Sequence, residues 1–296
     1  MGILYLVSTP IGNLEDITLR ALRVLREVTL IAAEDTRHTQ RLLQRYDLHT
    51  PCIAYHEHNK LARLDEVLTA LAQGDVAVVS DAGTPTISDP GAELVRACIA
   101  AGFAVTAIPG PSAPIAALIV SGLPTDKFCY TGFLPRRSVE RRALLTELSA
   151  LTVTLVCFEA PHRLRDSLSD ALETLGDRQL AIVKDMTKRY ENVWRGTVSA
   201  ALTHFTVQLP RGEFTLVLAG APPASQQKRH RQQIVAPAAT PMDQPDTAMI
   251  AARLQEQRAQ GERGSVASRN VARELGLQKS VVYHIWLELF ADTETG

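Results

Sequence analysis

Four consecutive apolar residues, Val76–Val79, followed at once by a loop rich in glycine, proline and aspartate, constrain the fold of this chain most. An unbroken apolar run of this length predicts a strand buried on both faces, as in a parallel sheet. The run stops at Ser80 and Asp81, and Gly83 and Pro85 then prevent regular structure from continuing. Ligands of open α/β sheets bind beyond the carboxyl ends of strands, so this loop predicts a small-molecule site. The alternative is an ordinary strand-to-helix turn.

Apolar runs alternate with helical patterns through the first part of the chain. Further strands are predicted at 3–8, 30–33, 52–55 and 104–108. Asp16 is the expected N-cap of the first helix. A later helix is marked by leucines spaced three and four apart, at Leu61, Leu64, Leu68 and Leu71. This alternation predicts βαβ units and a largely parallel sheet.

A second α/β pattern follows the glycine and proline at 122–125. Its strands are predicted at 128–132, 153–158, 180–183 and 214–218, with helices at 139–151 and 163–175. Residues 190–195 resemble one arm of a hairpin, so the second sheet is expected to be mixed. The predicted domains are therefore an N-terminal α/β domain at 1–122 and a second α/β domain at 123–220.

The composition changes near residue 221. Residues 221–246 carry five prolines and a basic run with almost no aliphatic pattern, which predicts a flexible linker. Helices are predicted at 247–260, 265–275 and 280–290, and the glycine at 276 suits the tight turn of a helix-turn-helix. Residues 247–296 are thus expected to form a small all-α module, resembling a helix-turn-helix, that either helps to position RNA or only packs.

Composition narrows the class of protein but not its partner. Hydrophobic residues make up 46% of the 296 residues and the formal net charge is −1, which is typical of a globular chain with an ample core. The four cysteines lie far apart and form no C-x-x-C pair, as in a reducing compartment. No apolar stretch is long enough to span a bilayer and no signal peptide is evident, so the expected location is cytoplasmic, without a membrane partner.

Three glycine- and proline-containing loops close strands in the first α/β pattern. They lie at 9–13, 81–85 and 109–113. Glycine lets a backbone approach a ligand closely. The sequence has neither G-x-G-x-x-G nor G-x-x-x-x-G-K-[ST], which argues against a Rossmann dinucleotide site and a P-loop. A ligand recognised by backbone groups and a few carboxylates is the remaining expectation.

The loop sequences resemble those of a known family. The motifs are Ser8-Thr9-Pro10-Ile11-Gly12-Asn13-Leu14, Ala33-Glu34-Asp35-Thr36-Arg37, Val79-Ser80-Asp81-Ala82-Gly83-Thr84-Pro85, Asp89-Pro90-Gly91, Pro109-Gly110-Pro111-Ser112-Ala113, Gly132-Phe133-Leu134-Pro135, Phe158-Glu159-Ala160-Pro161-His162-Arg163 and Arg211-Gly212-Glu213-Phe214. In this order they resemble the tetrapyrrole-methylase superfamily. Within it, the chain resembles the bacterial 16S rRNA (cytidine-2′-O)-methyltransferases.

The resemblance implies a fold, a cofactor, a substrate and an assembly. The fold would be two α/β domains of the tetrapyrrole-methylase type with a cleft between them, plus the small helical module. The activity would be S-adenosylmethionine-dependent 2′-O-methylation of a cytidine ribose in the decoding region of 16S rRNA, in the small ribosomal subunit. A homodimer is also implied. Two other functions stay open: a tetrapyrrole (precorrin) C-methyltransferase, and a non-catalytic nucleic-acid-binding protein.

The resemblance also assigns candidate residues to the donor and to the RNA. The candidate donor-binding residues are Pro10, Gly12, Asp81, Ala82, Gly83, Thr84, Pro85, Asp89, Pro109, Gly110, Ser112 and Ala113. The candidate RNA-binding residues are Asn13, Arg136, Arg137, Arg163, Lys184 and Lys188. For the arginines, a structural ion pair or a solvated face is the alternative.

The candidate catalytic residues are Asp35, Arg37 and Glu159. Asp35 is a possible base and Arg37 a clamp on phosphate or on the transition state, whereas the alternative for Asp35 is a helix cap. No metal site is expected, because His56, Glu57 and His58 lack a third and fourth ligand.

Overall fold

The apolar run Val76–Val79 is the central strand of a five-stranded sheet. The computed structural model describes residues 2–222, 247–262, 264–275, 277 and 279–290. The first five strands are β1 (Ile3–Val7), β2 (Leu30–Ala33), β3 (Cys52–Ala54), β4 (Val76–Val79) and β5 (Ala104–Ile108). They pair in the order β3-β2-β4-β1-β5, and every pairing is parallel. The predicted parallel sheet is confirmed.

Both faces of β4 are covered, as its apolar sequence predicted. Ala77 and Val79 pack into one buried cluster, and Val76 and Val78 pack into another on the opposite face. All four residues are buried. Helices cover the sheet: α1 (Leu19–Glu27), α2 (Thr36–Arg45), α3 (Lys60–Gln73) and α4 (Ala92–Ala100).

Two local predictions in this half were wrong. Asp16 does not cap α1. It lies in a short 3-10 helix, Leu14–Asp16, and Thr18 caps α1 by accepting a hydrogen bond from the Ala21 amide at 3.1 Å. Leu61 is 75% exposed because it stands in the first turn of α3, whereas Val67 and Leu71 are fully buried.

The second sheet is mixed, as predicted. Its strands are β6 (Phe128–Phe133), β7 (Thr154–Glu159), β8 (Gln179–Lys184), β9 (Asn192–Thr197) and β10 (Phe214–Leu218). The order is β6-β7-β10-β8-β9, in which only β6 and β7 are parallel. The predicted hairpin is formed by β8 and β9. Helices α6 (Ser138–Leu148), α7 (Leu164–Leu175) and α8 (Val198–Val207) belong to this half.

One helix joins the two sheets. Helix α5 (Ala113–Ser121) follows β5 of the first sheet, yet its residues Ala117 and Leu118 pack against Val156, Val183 and Val217 of the second sheet. Because α5 begins where β5 ends, this packing places the loops of the first sheet beside the second sheet.

The contacts divide the chain into two compact units, Met1–Pro223 and Ala224–Gly296. In the second, the described helices are α9 (Thr247–Ala259), α10 (Gly264–Leu275) and α11 (Lys279–Phe290), which share a cluster containing Leu254, Val271 and Val282. The predicted helical region is confirmed. The predicted linker lies, apart from residues 221 and 222, outside the described residues, as does the glycine at 276, and the domain boundaries within Met1–Pro223 stay predictions.

Two further predictions concern the cysteines and the length of the helices. All four cysteines are free thiols, and Cys98 and Cys157 are buried. Across the part of the chain that the structure describes, no helix combines the length and the apolar character needed to span a membrane.

Candidate functional site

Three strand-ending loops of the first sheet are joined by hydrogen bonds. The Thr9 and Gly83 backbones bond to each other in both directions, at 2.9 and 3.1 Å. The Thr9 hydroxyl donates to the Ser80 carbonyl at 3.1 Å. The Thr84 hydroxyl donates to the Pro111 carbonyl, also at 3.1 Å. The three predicted loops therefore form one rigid surface at the carboxyl edge of the sheet.

Unusual backbone conformations occur in the loop between β4 and α4, residues 80–91, which we call the β4 loop. Gly83 has φ +86°, a left-handed value that glycine adopts at little cost. Thr86 and Ser88 have φ +73° and +65° without being glycine. Such conformations cost on the order of 1–3 kcal/mol each and are often found at ligand sites.

A cavity of about 350 Å³ lies against this surface and is closed by the second sheet. The first sheet contributes Ala82, Gly83, Thr84 and Asp89 from the β4 loop, with Ser112 and Ala113 at the start of α5. The second sheet contributes residues near the ends of its strands, including Phe133, Phe158, Glu159, Met186 and Glu213. The volume falls within the range of small-molecule sites.

The predicted donor-binding residues divide into two groups. The six named above from the first sheet line the cavity. The other six, Pro10, Gly12, Asp81, Pro85, Pro109 and Gly110, belong to the same loops but do not line the cavity. Gly110, for example, lies so close to Ser8 that an added Cβ would be 2.9 Å from the serine Cβ. Direct donor contact by these residues stays a prediction.

The cavity wall contains carboxylates but, among the described residues, no cationic side chain. The carboxylates are Asp89, Glu159 and Glu213. Glu159 and Glu213 are paired with cations outside the wall, at 2.7 and 2.8 Å, so the negative charge offered to a ligand is chiefly that of Asp89. Burial raises the pKa of Asp89 to about 6, and the negative charges of Glu34 and Asp81 add to this shift. The cavity thus suits a ligand with positive charge and apolar surface, and it disfavours a phosphate-rich one.

Glu159 is a buried and fully bonded carboxylate. It pairs with the Arg163 guanidinium at 2.7 Å, accepts from the Ala160 amide at 2.6 Å, and accepts a short hydrogen bond from the Ser167 hydroxyl. Arg163 also donates to the Leu134 carbonyl at 3.0 Å. This geometry is the ion pair that the sequence left as the alternative for Arg163. The catalytic role of Glu159 and the RNA contact of Arg163 stay predictions.

The loop between β2 and α2, residues 34–35, which we call the β2 loop, is joined to the β4 loop by hydrogen bonds to carboxylates. The Asp35 amide donates to Asp81 Oδ1 at 3.0 Å, and the Asp81 amide donates to Glu34 Oε2 at 3.2 Å. Burial raises the pKa of Glu34, opposed by the hydrogen bond from Asp81. The side chain of Asp81 therefore holds the β2 loop in place instead of facing the cavity.

Asp35 is the N-cap of α2 and is held by Arg37. Its Oδ1 accepts from the Arg37 amide at 2.8 Å, and its Oδ2 pairs with the Arg37 guanidinium at 2.6 Å. Those hydrogen bonds hold the pKa of Asp35 well below its usual range. A carboxylate with so little proton affinity is a weak base, so this geometry does not support Asp35 as the general base. Arg37 has 85% of its side chain exposed.

Most of the arginines around α6 are already paired. Arg141 and Arg142 bind Asp170 on α7, and Arg137 lies 3.4 Å from Glu140. Arg136 has no carboxylate within 4 Å among the described residues. The ion pair that the sequence left as an alternative is thus formed by Arg137, and RNA contact by Arg136 and Arg137 stays a prediction.

The two predicted lysines lie in different grooves. Lys188 lies beside Gly12 and Asn13, where the Asn13 amide donates to the Thr187 hydroxyl at 3.1 Å. Lys184 lines a separate groove with Trp194. Both ammonium groups nevertheless lie near the Asp185 carboxylate, Lys184 at 3.8 Å and Lys188 at 3.9 Å, so the two lysines share one acidic neighbour. Their contact with RNA stays a prediction.

The apolar wall of the cavity was not predicted. Phe133 and Phe158 have ring centroids 5.3 Å apart, and Ile87 and Met186 complete the wall. Single apolar residues carry no local signal that separates a cavity wall from a core. Glu213 belongs to the Arg211–Phe214 motif, but nothing in the sequence indicated that it lines the same cavity as Asp89.

The matches to known proteins agree with this architecture. Residues 3–202 match the family of Tetrapyrrole (Corrin/Porphyrin) Methylases. A uroporphyrin-III-C-methyltransferase from Thermus thermophilus has a similar fold, with TM-score 0.51 and 23% identity over 73% of this chain and 94% of that one.

Curated relatives give a narrower match. A "Ribosomal RNA small subunit methyltransferase I" from Synechocystis sp. is 47% identical over 99% of this chain and all of its own length. The protein of that name from Halalkalibacterium halodurans is 42% identical over 96% and 94%. That from Thermotoga maritima is 50% identical over 74% of this chain and 99% of its own length. The chain belongs to the tetrapyrrole methylase family, within the group named ribosomal RNA small subunit methyltransferase I.

Proposed function

We propose that this protein transfers a methyl group from S-adenosylmethionine to the 2′-hydroxyl of a cytidine ribose in the decoding region of 16S rRNA, in the small ribosomal subunit. The relatives are named for methylation of small-subunit rRNA. The observation that carries the proposal is the cavity wall of carboxylates and apolar side chains at the joined loops.

The residues of the cavity fit the proposed donor. When bound, S-adenosylmethionine supplies a reactive methyl group on a positively charged sulfonium. Among the described residues, Asp89 is the wall carboxylate without an ion-pair partner, and it gives the cavity a negative charge that favours such a cation. Phe133 and Phe158 offer aromatic surface for a purine.

The start of α5 adds a site of opposite polarity. Helix N-termini favour carboxylates because their first amide groups lack partners within the helix. Ser112 and Ala113 line the cavity at this end, and the Ser112 side chain makes no capping hydrogen bond. We assign this end of the cavity to the carboxylate of the donor.

Arg37 is the candidate residue for the RNA side of the reaction. Methyl transfer to a hydroxyl is an in-line displacement, so the protein contributes chiefly by holding the two reactants in line. A guanidinium near the attacking oxygen also favours its deprotonated form. Arg37 stands on the first turn of α2, which the Asp35–Asp81 hydrogen bond attaches to the cavity loop.

The two other functions have weaker support. A tetrapyrrole C-methyltransferase is favoured by the Thermus thermophilus fold match, but its planar acidic substrate would meet the Asp89 carboxylate. A non-catalytic nucleic-acid-binding protein would leave the carboxylate-lined cavity without a role.

One assay separates the three functions. Purified protein is incubated with labelled S-adenosylmethionine and small ribosomal subunits from a strain that lacks the modification. Label on a cytidine ribose supports the proposal, and label only on a tetrapyrrole precursor supports the first rival. If the protein neither transfers label nor binds the donor, the non-catalytic nucleic-acid-binding function is supported.

A substitution of Arg37 tests its assigned role. We expect Arg37→Ala to lower turnover on subunits about tenfold or more, the range of a lost charged contact in the transition state, while donor affinity is kept. Arg23→Ala is the matched control, because Arg23 is also exposed and paired locally, with Glu27 at 2.7 Å. Equal activity of the two variants would remove Arg37 from the site.

We also propose that the protein acts in the cytoplasm as a homodimer. Exposed apolar side chains on α5 support the dimer: Ile115 and Ile119, one helical turn apart, are 44% and 67% exposed. Exposed apolar surface suits a contact between subunits. Sedimentation of the wild type and of Ile119→Lys tests this, and a monomeric wild type would contradict it.

A further inference from the structure

A second cleft opens next to the cavity and is lined by cations. It has a volume of about 520 Å³ and contains Arg45, Lys188 and Arg189, with Glu15 as its one carboxylate among the described lining residues. Its wall also includes residues 12–14 and Thr187. The cleft therefore has the charge opposite to that of the cavity.

The two spaces are neighbours along two chain segments. Ile11 and Met186 line the cavity, whereas the next residues, Gly12 and Thr187, line the cleft. These segments touch closely, since a Cβ on Gly12 would be 2.9 Å from the Met186 carbonyl oxygen. If a linear polymer binds in the cleft, the next monomer of the same polymer can therefore reach the cavity.

Arg45 and Arg189 are the available cations of this cleft. Each guanidinium lies over the ring of the next residue, Tyr46 or Tyr190, at 5.6 Å, and among the described residues neither has a carboxylate within 4 Å. Lys188 is partly neutralised, at 2.8 Å from Glu213. The arginines around α6, in contrast, are mostly paired with carboxylates.

The segments that carry these arginines are held in place. The Tyr46 hydroxyl donates to the Leu14 carbonyl at 2.6 Å, which fixes the end of α2. The turn before Arg189 is fixed by the Asp185 amide, which donates to the Glu213 carbonyl at 3.0 Å, and by the Thr187 amide, which donates to Glu191 at 2.6 Å. Cations presented from fixed positions lose little entropy on binding a phosphate.

We propose that this cleft binds the sugar–phosphate backbone of the RNA beside the target nucleotide, with Arg45 and Arg189 as its phosphate contacts. Guanidinium groups suit phosphate geometrically as well as electrostatically. Tyr190, which is 70% exposed beside Arg189, offers a surface on which a base can stack. This proposal rests on the proposed rRNA methyltransferase function and names where its substrate enters.

The test is the double variant Arg45→Gln/Arg189→Gln in the full chain. We expect KM for unmodified small subunits to rise at least tenfold, with donor affinity unchanged. Binding to subunits across a KCl series should show a slope of log K against log salt that is shallower by about 1.4, since each contact to single-stranded RNA contributes about 0.7. Thermal unfolding shows whether the variant is folded.

Arg20→Gln/Arg26→Gln is the matched control, because both arginines are exposed on α1 and line none of the cavities described above. It removes the same charge from another surface and should leave KM and the salt slope close to wild type. If both double variants lose the same amount, or neither does, the cleft is not the RNA site. If the wild type itself transfers no methyl group to subunits, the proposed function fails instead.

Discussion

Asp89 is a carboxyl group of the cavity whose pKa is raised towards neutral pH. Its pKa of about 6 in the folded protein is above the ordinary value of 3.8, because burial disfavours the charged form. The folded protein therefore binds this proton more tightly than the unfolded chain does. The ionised group lowers the free energy of unfolding above about pH 6, and this penalty disappears as the pH falls towards 3.8.

We expect Asp89→Asn to raise the unfolding temperature at pH 7.5, because the amide carries no charge to bury. The gain should shrink between pH 6 and pH 4, where the wild-type carboxyl becomes protonated. Thermal unfolding over this pH range measures the difference in unfolding temperature between the variant and the wild type. Asp65→Asn, on the exposed face of α3, is the control. A gain that is independent of pH would contradict the assigned cause.

Gly83 in the β4 loop has a left-handed backbone conformation and also lines the cavity, and both features favour glycine at this position. We expect Gly83→Val to weaken binding of S-adenosylmethionine at least tenfold, measured by calorimetry. The side chain would enter the cavity wall, its Cβ 3.3 Å from Ile11 Cγ2. Gly102→Val is the matched control, because Gly102 has φ +81° but nothing within 4 Å of an added Cβ.

Both valine variants carry the same backbone strain, on the order of 1–2 kcal/mol, so both should lose stability. Only the Gly83 variant should lose donor affinity. If the two variants bind the donor equally well, Gly83 does not belong to the donor site.

At the scale of elements, α6 and α7 are joined by a buried ion pair. Arg141 is 3% exposed and donates through Nε to Asp170 Oδ2 at 2.7 Å. Asp170 also accepts from the Ser138 hydroxyl at 3.0 Å and from Arg142 at 2.9 Å. These contacts fix the two helices on one face of the second sheet.

We expect Asp170→Ala to lower the free energy of unfolding by about 3–5 kcal/mol, because Arg141 would be left buried without its partner. The control is Glu173→Ala. Glu173 is 62% exposed and pairs with Arg142, so its removal should lower the free energy of unfolding by only about 0–1 kcal/mol. Urea unfolding compares them. Similar small losses in both variants would show that Arg141 finds another partner or reaches water.

At the scale of the whole molecule, the cavity and the basic cleft both belong to the first compact unit. None of the described residues that line either space lies in the helical module.

We expect a chain that ends at residue 222 to bind S-adenosylmethionine within about twofold of the full chain, since 1.4 kcal/mol would be needed for a tenfold change and no candidate donor residue is removed. Calorimetry on the two proteins measures this. Methyl transfer to subunits should also persist, with any loss confined to KM, if the module only helps to position RNA. Loss of donor binding in a folded truncated chain would contradict this division of roles.

The sequence by itself determined the parallel sheet, the mixed second sheet, the strand-ending loops and the family, because these depend on local runs, spacings and motifs. The run 76–79 predicted a strand buried on both faces without knowledge of its neighbours, and the structure confirmed it. Only the tertiary structure decided how the arginines are used. Asp170 neutralises Arg141 from 29 positions away in the chain. Arg45 and Arg189, in contrast, line the same cleft, and neither has a carboxylate partner among the described residues. The charge that an ionic side chain offers to a ligand depends on which groups packing brings near it, and separation along the chain does not encode that.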